Sequence, residues 1–211
     1  MEEAFWQAKW RANEIGFHEN RPNHFLVTYF PRLKLEPGNT IFVPLCGKAV
    51  DLDWLIAQGL NVIGSEFNEG AAREVFARQK LNPASQTQGG LNHLHAGKLR
   101  IFVGDFFNLT KAALGPVDAI YDRAALVALP KPTRDHYTKH LTAITNIAKQ
   151  LLVTLDHDRE TGPPFTVPAR EIARLYQNHY AIKPLENAPI SGALAQRMSG
   201  AENVQLLTPL G

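Results

Sequence analysis

Glu66 stands nineteen positions after Gly47. A glycine lets backbone come close to a ligand because it has no Cβ. An acid about twenty residues further on is spaced to accept hydrogen bonds from both hydroxyls of a ribose. Neither residue is specific alone: no GxGxxG is present, and Glu66 reads equally well as a surface carboxylate closing a strand. Asp105, in Gly104-Asp105-Phe106-Phe107, is placed to accept from an adenine amino group while Phe106 covers the ring. The alternative is that Asp105 caps the next segment and Phe106 is core. Asp122-Arg123 offers a planar cation for a carboxylate or an electron-rich acceptor, or a structural ion pair with a loop carboxylate. Taken in chain order, these positions match a nucleoside laid across the edge of a sheet.

Elements that could place them there are legible in the hydrophobic pattern. Thr40-Ile41-Phe42-Val43 follows the turn signal Pro37-Gly38-Asn39 and predicts a buried strand. Further strands are predicted at 61–64, 99–103, 117–121 and 151–155. Helices are predicted between them at 49–58, 68–80 and 133–149. Strands separated by helices imply a parallel sheet covered on both faces. In such sheets ligands bind beyond the carboxyl ends of the strands, where strand order reverses. After a helix at 168–178, the segments 180–185 and 203–208 predict a terminal antiparallel pair. At the other end, 3–13 and 23–30 predict helices, the second stopping at Pro31. The polar segment 81–97 predicts an exposed loop.

Composition narrows the function classes. The 211 residues suit one domain with an accessory cap, and a formal charge of +2 argues for neither nucleic acid nor a membrane surface. Basic residues such as Arg73, Arg78, Lys98 and Arg100 are scattered. Cys46 is the single cysteine, which rules out an intramolecular disulfide and a cysteine-rich zinc site. The acidic start Met1-Glu2-Glu3 is unlike a secretory signal, and no apolar run reaches membrane-spanning length. The expectation is a cytoplasmic protein. His93-x-His95 and Asp156-His157-Asp158 fall short of the three or four ligands of a metal site, so no metal is expected. Asp156 follows the fifth strand and is a candidate for lining the acceptor site. Cys46 lacks any neighbouring signal of activation and reads as a small residue behind the cofactor loop.

The chain resembles the thiopurine S-methyltransferases, class I S-adenosylmethionine-dependent enzymes, over nearly its whole length. The resemblance is carried by Phe5-Trp6-x-x-x-Trp10, Ile15-Gly16-Phe17-His18 and Val43-Pro44-Leu45-Cys46-Gly47-Lys48 with Asp51, Trp54 and Leu55. It continues in Gly64-x-Glu66, in Tyr121-Asp122-Arg123-Ala124-Ala125-Leu126 and in Gly162-Pro163-Pro164-Phe165. It implies a Rossmann-like α/β fold in one domain: a mostly parallel seven-stranded sheet in 38–211, helices on both faces, and an N-terminal helical lid in 1–33. By resemblance, Trp10 packs on the methionine end of S-adenosylmethionine and the Leu45 backbone touches the cofactor. Glu66 then holds the ribose, Arg123 is the arginine of the D-R block, and Phe17 lies near the acceptor.

The implied reaction is methyl transfer to the sulphur of a small aromatic or heterocyclic thiol, by an enzyme expected to be a monomer. An anionic sulphur meeting a cationic donor cancels charge, so a dry pocket and alignment supply most of the catalysis. No strong general base is then required. Arg123 is the residue expected to act in catalysis. Two alternatives remain open: a methyltransferase for selenium or tellurium oxyanions or other small thiols, and a nicotinamide dehydrogenase, against which the missing GxGxxG counts.

Overall fold

Ile41, Phe42 and Val43 are nearly or wholly buried because the strand that carries them, β1 (Thr40–Val43), is covered on both faces. Successive side chains on a strand point to opposite faces. Phe42 therefore joins one hydrophobic cluster while Ile41 and Val43 join the other. The computed structural model describes residues 19–159 and 161–211. The predicted helix 3–13, with Trp6 and Trp10, and Phe17 lie outside the described residues, as does most of the expected lid.

β1 pairs in parallel with β2 (Asn61–Glu66) on one side and β6 (Ala119–Arg123) on the other. β5 (Leu99–Val103) extends the parallel array beyond β2, and β7 (Lys149–His157) extends it beyond β6. β8 (Tyr180–Pro189) and β9 (Gly200–Pro209) close that end as the expected antiparallel pair, with β9 next to β7. All seven predicted strands are therefore present, in a Rossmann-like α/β sheet. The order reverses at β1, where chain connections leave in opposite directions.

Among the described residues the sheet has nine strands, not seven, in the order β3-β4-β5-β2-β1-β6-β7-β9-β8. The extra two, β3 (Ala84–Gln88) and β4 (Leu91–Ala96), form a hairpin added to β5, where a loop was expected. Leu91 and Leu94 are buried, but Asn92, His93 and His95 break the apolar alternation by which a strand is recognised. The turn is Gly89-Gly90, both at positive φ, which suits a two-residue hairpin connection.

On the face of Ile41 and Val43 pack α1 (His24–Tyr29), α2 (Asp51–Ala57) and α3 (Glu69–Arg78), through Phe25, Leu26, Leu52, Leu55 and Val75. On the face of Phe42 pack α4 (Lys111–Leu114), α5 (Lys131–Ile144) and α6 (Ala169–Tyr176), through Leu114, Tyr137, Leu141, Ile172 and Tyr176. The helix predicted to run to 149 stops at Ile144 because Asn146 and Ile147 both take positive φ. A short α7 (Gly192–Ala195) lies between β8 and β9. No described helix is long and apolar enough to cross a membrane.

Candidate active site

The loop leaving β1 is folded back onto the end of β2. Leu45 N–H donates to Ser65 Oγ at 3.2 Å, and Cys46 N–H to the Ser65 carbonyl at 2.9 Å. Gly47 N–H donates to Glu66 Oε2 at 2.8 Å, while Asn68 N–H donates to Oε1 at 2.7 Å. Leu45 and Gly47 sit at φ of 45° and 54°, a region that glycine enters without the steric cost other residues carry. Leu45, Gly47 and Glu66 thus form one hydrogen-bonded unit. Glu66 is buried, which pushes its carboxyl above the usual range, and the N–H groups of Asn68, Gly47 and Phe67 oppose that rise. A carboxylate offers about four acceptor positions, so these backbone donors still leave it capacity to accept from a ribose hydroxyl.

Gly64 is required beneath this unit. A Cβ there would stand 2.7 Å from Cys46 Sγ, so the loop packs on bare backbone. Cys46 itself is buried, and burial pushes its thiol well up, which keeps it protonated and inert.

Asp105 lies one strand over, past the end of β5. Its Oδ1 accepts from Phe107 N–H at 3.1 Å and caps the short 3-10 turn Phe106–Asn108. The Phe106 ring is only 1% exposed, parallel to Phe42 at 6.5 Å and packed on Tyr137 and His140. The ring expected to cover an adenine is thus packed against α5. The half-buried ring at this edge is Phe107, stacked on His136 at 4.1 Å.

Arg123 ends β6, level with the β1 loop. Its Nη2 donates to Glu19 Oε1 at 2.7 Å. On the same sheet face, Tyr121 Oη donates to Asp51 Oδ2 at 3.0 Å, and Asp51 Oδ1 accepts from Asn23 N–H at 2.7 Å. Burial works against the guanidinium charge, but Tyr121, Glu19, Asp51 and Glu202 overcome it and leave its pKa raised. Arg123 is therefore a fixed cation among carboxylates brought from separate elements. Sequence reasoning passed over Glu19, Asn23, Ser65 and Glu202; among these only Ser65, a polar residue in a buried strand just before an acid, carries a local signal.

Asp156 is exposed, on β7, with Oδ1 accepting from Thr166 Oγ1 at 3.2 Å. It stands three residues beyond the β7 partner of Arg123, Val153, or about 10 Å along the strand. Nearby, an open groove of about 450 Å³ is lined by Asp158, Arg159, Gln196, Arg197, Met198 and Ser199 among others. Along the edge the residues run Asp105, Glu66, Leu45–Gly47, Arg123, Asp156, following β5-β2-β1-β6-β7. Four inter-strand gaps span about 19 Å, room for a nucleoside with an amino-acid tail and a small acceptor. His93 and His95 sit at the far hairpin with rings 5.0 Å apart, and no group of three or more metal-ligating side chains occurs among the described residues.

Three comparisons bear on this edge. The family model for thiopurine S-methyltransferase matches residues 1–208. A thiopurine S-methyltransferase of Xanthobacter autotrophicus is 47% identical over 210 residues, covering 98% of this chain and 99% of its own. One from Teredinibacter turnerae is 42% identical over 210 residues, covering 99% and 98%. Among solved structures, a Burkholderia thailandensis 1,6-didemethyltoxoflavin-N1-methyltransferase with bound S-adenosylhomocysteine shares the fold at a TM-score of 0.65 and 12% identity, covering 98% of this chain and 87% of its own. A TehB-like S-adenosylmethionine-dependent methyltransferase from Corynebacterium glutamicum does so at 0.60 and 11%, covering 99% and 98%.

Proposed function

The chain belongs to the thiopurine S-methyltransferase family, and from that premise we propose that it methylates the sulphur of a small aromatic or heterocyclic thiol at the sheet edge built on Glu66 and Arg123. It is a methyltransferase that uses S-adenosylmethionine. The observation that carries the site assignment is the closed unit in which Gly47 and Asn68 N–H groups fix the Glu66 carboxylate. A carboxylate held this way is preorganised for a ribose diol, and the bare Gly47 backbone gives the rest of the nucleoside room to approach.

S-adenosylmethionine supplies an electrophilic methyl on a sulphonium. Around it, Leu45 and Gly47 offer backbone, Glu66 holds the ribose and Asp105 takes the adenine amino group. Trp10, outside the described residues, is assigned to the methionine end by resemblance alone. Arg123 holds the cofactor carboxylate or orients the acceptor sulphur; Asp156 lines the acceptor space beside the Arg159–Arg197 groove, and Phe17 is assigned to the acceptor by resemblance alone. Held there, the cofactor would supply its methyl to an ionised acceptor sulphur, whose negative charge would cancel that of the sulphonium and leave neutral thioethers. Exclusion of water favours this charge-cancelling step, and alignment supplies much of the remainder. The working form is a monomer in the cytoplasm, with 1–33 as lid and 38–211 as core.

The test is an acceptor panel with the purified protein: aromatic thiols, aliphatic thiols and selenium or tellurium oxyanions. The expected result is kcat/KM for heteroaromatic thiols well above that for the other classes. Transfer confined to the oxyanions, or absent with every acceptor, contradicts the reading.

A further inference from the structure

Arg123 and Asp122 are adjacent in β6 and point to opposite faces of the sheet. Arg123 shares its face with Tyr121 and the carboxylates of Glu19, Asp51 and Glu202. Asp122 is 0% exposed on the other face, beneath α5 and α6. Tyr137 Oη donates to its Oδ2 at 2.7 Å, and Leu126 N–H reaches Oδ1 at 3.4 Å. Ala125 N–H supplies a further backbone donor. Just after Arg123, Ala124 sits at φ of 68°, a left-handed conformation disfavoured for a residue with a Cβ that must be imposed by its surroundings.

We propose that Asp122 is the positioning residue for Arg123: its carboxylate, anchored through Tyr137 to α5, fixes the left-handed turn after β6 and so aims the guanidinium across the reacting edge. The proposal rests on the reading that Arg123 works at that edge. A carboxylate is suited to the task because its oxygens only accept, and each donor around it is a group of the turn or of the helix behind it. An isolated carboxylate buried under two helices opposes folding, so its presence calls for a return elsewhere in the molecule, and the turn it holds is that return.

The arrangement makes the turn responsive to acid. Burial pushes Asp122 up to about 6, while the Tyr137 hydroxyl and the Leu126 and Ala125 N–H groups restrain the rise. The titratable groups that feel its charge are Tyr137 on α5 and Tyr176 on α6, both phenols pushed well above their usual range by burial. Neither ionises near pH 6, so the response belongs to Asp122. Below about pH 6 the carboxyl gains a proton, one oxygen becomes a donor among donors, and the turn is held less firmly.

The experiment measures kcat against pH at saturating cofactor, using an acceptor thiol acidic enough to be ionised throughout, for wild type, Asp122→Asn and Tyr137→Phe. In parallel, the Arg123 Nε–H resonance is followed by NMR from pH 5 to 8 with S-adenosylhomocysteine bound. Wild type is expected to lose activity as pH falls through about 6. Asp122→Asn should lose roughly ten- to a hundredfold in kcat at pH 8 with no acid limb. Tyr137→Phe, lacking a donor to the charged form, should move the limb to higher pH. The Arg123 resonance should broaden or shift below pH 6 in wild type and be displaced at every pH in Asp122→Asn. Wild-type turnover in Asp122→Asn, an unmoved limb in Tyr137→Phe, or an Arg123 resonance indifferent to both overturns the proposal. If no thiol is methylated by any form, the reading of the acceptor fails, and the Arg123 resonance still decides the role of Asp122.

Discussion

Glu66 does two things at once, and substitution separates them. Its oxygens accept from Gly47 and Asn68 N–H, which shapes the loop, and in the proposed role it also accepts from the cofactor ribose. Glu66→Gln keeps one acceptor oxygen but places an amide NH₂ against a backbone donor. Hydrogen bonds to a charged group are worth about 1.5–3 kcal/mol, so S-adenosylhomocysteine affinity should fall roughly ten- to a hundredfold. Asp122 carries the opposite balance. The gap between about 6 and its usual 3.8 corresponds to about 3 kcal/mol against the folded state at neutral pH. A carboxyl with a raised folded-state pKa binds protons more tightly when folded, so this cost is present above pH 6 and fades as pH falls towards 4. Asp122→Asn should therefore melt no lower than wild type at pH 8 while losing turnover, and a sharp drop in Tm measured by calorimetry would contradict that bookkeeping.

Among the elements, the loop after β1 and strand β2 are matched to each other. Because a Cβ at Gly64 would sit 2.7 Å from Cys46 Sγ, Gly64→Ala overpacks the joint and should cost about 1–3 kcal/mol. The double variant Gly64→Ala, Cys46→Ala removes the sulphur in the way and should recover part of the loss, a coupling that denaturant melts of the four forms would expose. Additive losses would mean that the clash is relieved elsewhere. Much of this scale was legible in the sequence. The parallel strands, the terminal antiparallel pair and the Gly47–Glu66 pairing follow from apolar runs separated by helical periods. The hairpin β3–β4 was not legible, because Leu91 and Leu94 are its only buried apolar side chains among polar neighbours. Phe106 was ambiguous for a related reason: an aromatic just past a strand reads the same whether α5 covers it or a ligand does.

Over the whole molecule, the two faces of the sheet divide the work. The face of α1, α2 and α3 carries Arg123 and its carboxylates, and the face of α5 and α6 carries the supports. One support is the buried pair Arg134 Nη1–Glu171 Oε1 at 2.9 Å, with Arg134 also donating to the carbonyls of Leu129 and Thr166. It ties α5 to α6 and to the segment whose Thr166 hydroxyl meets Asp156. Arg134→Ala removes the buried partner of Glu171, leaving only Arg174 Nη2 at 3.9 Å, and should cost about 3–5 kcal/mol, read as a lower denaturation midpoint; an unchanged midpoint would show that Arg174 or water replaces the pair. These long-range ties escape sequence reading because Arg134 and Glu171 are thirty-seven positions apart and neither lies in a recognisable motif.

The central claim is that the loop closed on Glu66 is where the adenosyl cofactor sits. Calorimetric titration of S-adenosylhomocysteine into wild type and Glu66→Gln, with NAD as the control ligand, tests it most directly. One site per chain is expected for S-adenosylhomocysteine, with a roughly ten- to hundredfold weaker site in Glu66→Gln and no binding of NAD. Equal affinity of the two proteins for S-adenosylhomocysteine would contradict it.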